Sequence, residues 1–177
     1  MKRIVWTFGL IAGVILAGLV VAMVPMCMSE NADLDKSEIV GYAGMVLAFV
    51  MVFVGIRSYR ENAGGGAITF GKAFKVGIVI TLIACAVYVI TWEIVYFNFV
   101  PDFGEKYAAR VVKQMQADGA TVAAVAAKQK QLVEFGKLYK NPLINAGVTF
   151  LEVFPVGLIV TLVSAAILRR RYAPAVA

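Results

Sequence analysis

GKAFKVGIVITLIACAVYVITWEIVYFNF, residues 71–99, decides how the rest of this chain is read. Lys72 and Lys75 open it, and the apolar run behind them is long enough to cross a hydrocarbon layer about 30 Å thick at about 1.5 Å per helical residue. A single carboxylate interrupts the run: Glu93, set among Tyr88, Trp92, Tyr96, Phe97 and Phe99. A charge at the centre of such a helix costs about 2.5–3.5 kcal/mol on insertion scales, and less where it reaches the interface. Glu93 stands about 12 Å short of Pro101 by helical rise, a strained reach for a short side chain. Thr81, Cys85, Tyr88, Trp92 and Tyr96 recur at spacings of three and four, so they share one face of this span.

After this span, residues 101–141 form the one sizeable polar segment, too long for a turn. Phe103, Tyr107, Val111 and Met115 recur every fourth residue, which predicts an amphipathic helix broken at Asp118-Gly119. A second helix is expected over about 121–139, with Val122, Val125, Leu132, Phe135 and Tyr139 mostly on one side, ended by Asn141-Pro142. Two helices cannot hold a core alone, so the pair is expected to lie on the rest of the protein or on a partner copy. Its seven Lys and Arg against four acids would also suit an anionic surface. Another apolar run, about 143–168, stops at Arg169, Arg170 and Arg171. Within it Asn145, Thr149 and Glu152 lie on one face, and Pro155 frees the carbonyl of Leu151 beside that carboxylate.

Before the central span, a run of about 39–56 has Gly41, Gly44 and Ala48 as packing positions and ends at Arg57, Arg60 and Glu61. The connector that follows, Asn62 to Gly66, is glycine-rich. It lacks the spacing of a phosphate loop, since Gly71-Lys72 is followed by Ala73, and is read as a turn. The first run, about 4–28, follows Lys2 and Arg3 and is too long for a signal peptide with no A-x-A-like site behind it, so an uncleaved span is expected. Gly9, Gly13 and Ala17 form a small-xxx-small stripe suited to close helix approach, within the chain or in a homodimer, and Pro25 is expected to end the helix. Glu30, Asp33, Asp35 and Glu38 lie between the first two runs without the D-x-D-x-D spacing of a calcium loop, and are read as a solvated loop.

The totals agree with these readings. Of 177 residues, 61% are hydrophobic and only 16% charged, which is outside the range of soluble globular chains. The fold class expected is an all-α integral membrane protein: a single domain of four transmembrane helices with an extracytoplasmic helical hairpin, 101–141, inserted between spans three and four. Lys2, Arg3, Arg57, Arg60, Lys72, Lys75 and Arg169 to Arg171 fall on one side, which sets both termini in the cytoplasm. The net charge of +6 is thus a matter of orientation, and nucleic acid is not an expected partner; membrane lipids are. The chain has no histidine, and Cys27 and Cys85 lack metal or redox spacing. No catalytic residue, metal or cofactor is expected, and an enzyme is not the favoured reading.

The block 55–60 (GIRSYR), the glycine-rich connector, residues 68–77 (ITFGKAFKVG) and residues 151–157 (LEVFPVG) resemble a family of small bacterial four-span membrane proteins. That family is known as a domain of unknown function in Bacteroidetes and Proteobacteria, and the likeness covers about residues 4–171. The resemblance implies the fold and a multi-pass place in the bacterial inner membrane; it carries no activity or site residue.

Two functional readings follow. Glu93 and Glu152 lie at comparable depth when counted from the outer ends of their spans, and two like charges in low dielectric cannot both ionise. If they converge, they make a protonatable pair with Tyr88, Tyr96, Asn145 and Thr149 as polar neighbours, suited to a small proton-linked transporter or ligand-binding protein. The alternative is a non-catalytic membrane module whose external hairpin binds a partner protein or lipid headgroups.

Overall fold

A computed structural model of the chain describes residues 1–28 and 34–170. Its elements are α1 (Lys2–Met28), α2 (Leu34–Asn62), α3 (Phe70–Asn98), α4 (Phe103–Ala117), α5 (Val122–Tyr139) and α6 (Pro142–Leu168). Four of these hold stretches long and apolar enough to cross a membrane: Lys2–Pro25, Glu38–Asn62, Phe70–Asn98 and Pro142–Leu168. The protein is therefore an all-α membrane protein, with a helical hairpin between the third and fourth long helices.

Local chemistry explains the boundaries. Thr69 and Thr121 cap α3 and α5 by accepting from the N–H groups of Lys72 and Ala124. Asn141 accepts from Leu143 N at 3.0 Å, and Pro142 follows at the first helical position, where its missing N–H costs nothing. The turns need left-handed backbone at Gly66 (φ 84°) after α2 and at Gly119 (φ 77°) between α4 and α5. Two expectations shift. Pro25 lies inside α1, which continues to Met28. It removes the N–H that the Val21 carbonyl would accept, but one lost bond near a helix end does not stop the last turn. Helix α2 begins by Leu34, so Glu38 belongs to a helix and not to a loop. The rest of that acidic loop (29–33), the Cys27 side chain and the tail beyond 170 lie outside the described residues.

Helix α3 packs against α1, α2 and α6, while α2 packs against α1 and α6, leaving α1 and α6 at opposite corners of the bundle. The small-residue stripe of α1 is used within the chain. A Cβ on Gly9 would stand 2.8 Å from Ile83, and one on Gly13 2.7 Å from Val87, so these α3 side chains sit directly on the backbone of α1.

The half of the bundle that holds the N-terminus of α1 and the C-terminus of α6, the basic end, is tightly closed. Phe49, Val52, Ile56, Val76 and Ile80 are wholly buried there. A Cβ on Gly157 would come within 2.5 Å of Thr81 and 2.8 Å of Phe49. Thr81 and Thr161 hydroxyls share a 2.9 Å hydrogen bond across the α3–α6 contact, giving two buried polar groups a partner. At the tip, Ile68 and Arg170 exchange two backbone hydrogen bonds of 2.9 Å, and Arg60 donates to the Leu168 carbonyl at 3.4 Å. The ends of α2, α3 and α6 are thereby joined.

Candidate functional site

In the other half the long helices leave a space that the α4–α5 hairpin roofs. The result is a cavity of about 750 Å³, walled by α1, α2, α3 and α6 and covered by α4 and α5. The roof is the predicted stripe: Phe103, Tyr107, Val111 and Met115 of α4 all line the cavity, with Leu132, Phe135 and Tyr139 of α5. Leu16, Val20 and Met23 of α1 and Met45 of α2 supply apolar wall.

The hairpin is pinned over this space by aromatic contacts and a hydrogen-bond chain. Trp92 meets Phe103 edge-on at 5.2 Å between ring centroids, and Tyr96 meets Tyr139 edge-on at 5.3 Å. Trp92 Nε1 donates to the Tyr139 hydroxyl at 3.0 Å, which lies 3.2 Å from Thr149 Oγ1. Thr149 donates to Asn145 Oδ1 at 3.3 Å, and Asn145 Nδ2 donates to the Tyr139 carbonyl at 3.3 Å. Asn145 Oδ1 can only accept and takes the Thr149 proton, so Thr149 accepts from the Tyr139 hydroxyl, which in turn accepts from the Trp92 indole. Burial holds the Tyr139 phenol above its usual range, so it keeps its own proton throughout the neutral range. This circuit joins α3, α5 and α6 with every member satisfied.

Glu152 projects from α6 into the cavity and is exposed there. Glu38, Tyr88 and Tyr139 lie within electrostatic reach of its carboxylate, and Tyr42 within reach of Tyr88. The wall around Glu152 thus combines a second carboxylate with phenol rings. Among the described residues there is no cluster of three or more His, Cys, Asp or Glu side chains placed to hold a metal ion.

The family described as "Protein of unknown function (DUF4199)" matches residues 7–170, nearly the whole chain. The chain belongs to the DUF4199 family. No curated protein and no solved structure matches it. The blocks that carried the resemblance in the sequence, 55–60, 68–77 and 151–157, all fall inside the DUF4199 match.

In this DUF4199 chain the expected site residues separate into three groups. Glu152, Tyr88 and Thr149 line the cavity; Asn145 and Tyr96 are buried behind its wall, holding Tyr139 in place. Glu93 does not line the cavity, and the carboxylate brought near Glu152 is Glu38. The cause is the register of α3 against α6. Thr81 sits opposite Gly157 and Thr161, which sets Tyr88 level with Glu152 and leaves Glu93 five residues farther on, about 7 Å by helical rise. Glu93 is half-buried, and its Oε1 is buried without a hydrogen-bond partner among the described residues. Sequence reading misses Glu38 and Tyr42 because the apolar run of the second span starts at Ile39. Begun a turn earlier, Glu38, Tyr42 and Met45 fall at i, i+4 and i+7 on one face, the signal that would have found them.

Proposed function

We propose that this DUF4199 protein is a non-enzymatic, multi-pass protein of the bacterial inner membrane that binds an amphipathic small molecule between its bundle and its hairpin. The cavity carries the reading. Its volume of about 750 Å³ and its mostly apolar lining, with a few converging carboxylates and hydroxyls, are what a pocket for a small organic ligand requires. The basic residues gathered at the closed end support a cytoplasmic placement of both termini and an extracytoplasmic hairpin. Proton linkage is part of the proposal: Glu38 and Glu152 face the same apolar space, and neutralising either one relieves their repulsion.

The competing reading, a hairpin that docks a partner protein or headgroups, is less well supported. The stripe of α4 that such a partner would need faces the cavity. The test uses the full chain in nonionic micelles with Trp6→Phe, which leaves Trp92 on the cavity wall as the one tryptophan. Titration with the uncharged dye N-phenyl-1-naphthylamine is expected to quench Trp92 saturably. Gly136 lines the cavity and a Cβ there would have nothing within 4 Å, so Gly136→Phe is expected to occupy cavity space and to abolish the quenching. Saturable quenching that survives Gly136→Phe would mean that the dye sits elsewhere and the reading fails.

A further inference from the structure

We infer that the ligand of this cavity is an organic cation with bulky apolar substituents. The inference rests on the cavity being a ligand site and adds the sign of the ligand's charge. Among the described residues four charged side chains line the space: Lys128 and Asp118 on the hairpin, Glu38 and Glu152 on the bundle. The two on the roof are of opposite sign and offset one another. The two on the floor are both carboxylates, and among the described residues neither forms an ion pair with a lysine or arginine. Among the described residues no cation stands beside either carboxylate, so the floor keeps negative charge even with one of the two neutralised, in apolar surroundings where electrostatic attraction is poorly screened.

Anions are repelled from such a floor, and an uncharged ligand leaves the repulsion between Glu38 and Glu152 in place. A small inorganic cation is a poor occupant as well. It needs a close shell of oxygens, whereas this space is wide and its walls are chiefly Leu, Val, Met and aromatic side chains. Four aromatic side chains, Tyr42, Tyr88, Trp92 and Tyr139, line the same space. Aromatic faces attract a diffuse organic cation, which is the basis of quaternary-ammonium recognition. The remaining apolar wall is suited to the substituents that such a cation carries.

Two ions of nearly the same shape and opposite charge, tetraphenylphosphonium and tetraphenylborate, test the inference on Trp92 emission in the Trp6→Phe chain. The Gly136→Phe variant serves as the background to subtract. The phosphonium is expected to bind at least tenfold more tightly than the borate. Glu152→Gln and Glu38→Gln are each expected to weaken the phosphonium at least threefold without weakening the borate. Equal affinities, or tighter borate binding, with signals lost in Gly136→Phe, would overturn the cation and leave the cavity reading standing. Binding of the uncharged naphthylamine alone would overturn the cation in the same way. Signals for all three probes that ignore Gly136→Phe would overturn both. The comparison of the two ions needs no glutamate variant, so poor folding of one does not blur it.

Discussion

The two halves of the bundle are built from the same four helices and solve opposite problems. At the basic end, Gly77 and Gly157 remove side chains where helices cross, and Thr81 and Thr161 satisfy each other, so side chains of one helix sit directly on the backbone of the next. At the hairpin end, residues on the same helices two or three turns away are large, aromatic or charged: Tyr42, Tyr88, Trp92 and Glu152. They hold the helices apart, and the hairpin supplies what the bundle lacks. The cavity is thus made by side-chain size along continuous helices and not by a break in any of them. The small-residue half supplies the packing that lets the other half stay open.

Glycine substitution should separate the halves most sharply. Gly157→Ala places a Cβ within 2.5 Å of Thr81 and is expected to cost about 1–3 kcal/mol in denaturant unfolding of the micellar protein. Gly147→Ala, on the same helix but with nothing within 4 Å, is expected to gain about 0.5–1 kcal/mol from helix propensity. Equal effects would mean that the closed half is not closed by contact. Next in size, Tyr139→Phe removes the hydroxyl between Trp92 and Thr149 and is expected to cost about 1–2 kcal/mol. That loss should appear as roughly tenfold faster amide exchange in α5, with the Phe49 and Thr161 region unchanged. A smaller effect, about 0.6 kcal/mol, is expected for Thr81→Val, which breaks the hydroxyl pair at the α3–α6 crossing.

The smallest effect concerns pH. The Lys106 ammonium, 2.6 Å from Asp102, holds that carboxylate below its usual range at the start of α4. A depressed folded value means that the stabilisation is present above the unfolded value, about pH 4, and is lost as pH falls through the folded one. Exchange in the first turn of α4 is therefore expected to be flat from pH 8 to 5, after correction for intrinsic rates, and to quicken below pH 4. Asp102→Asn should remove that acid response.

Much of this was legible in spacing alone. The four apolar runs, the small-residue stripe of α1 and the every-fourth-residue stripe of α4 follow from helical periodicity, because each describes which side of a helix is apolar. What spacing does not contain is register between helices. Depths counted from span ends put Glu93 and Glu152 level, but relative height is set where α3 and α6 cross at Thr81, Gly157 and Thr161. The same limit explains Glu38, whose place depends on how far α2 extends beyond its apolar run. Tyr139 was visible as one of a row of apolar positions. Its role as the link between Trp92 and Thr149 requires three helices to be in place at once.

The paired backbone bonds between Ile68 and Arg170 also have a mechanical meaning. With the Arg60 contact they fasten α2, α3 and α6 together at one tip, and the cavity lies at the far end. Like the riveted end of a pair of tweezers, this tip sets how far apart the helices that carry Glu38 and Glu152 stand, and the hairpin roofs the space between them.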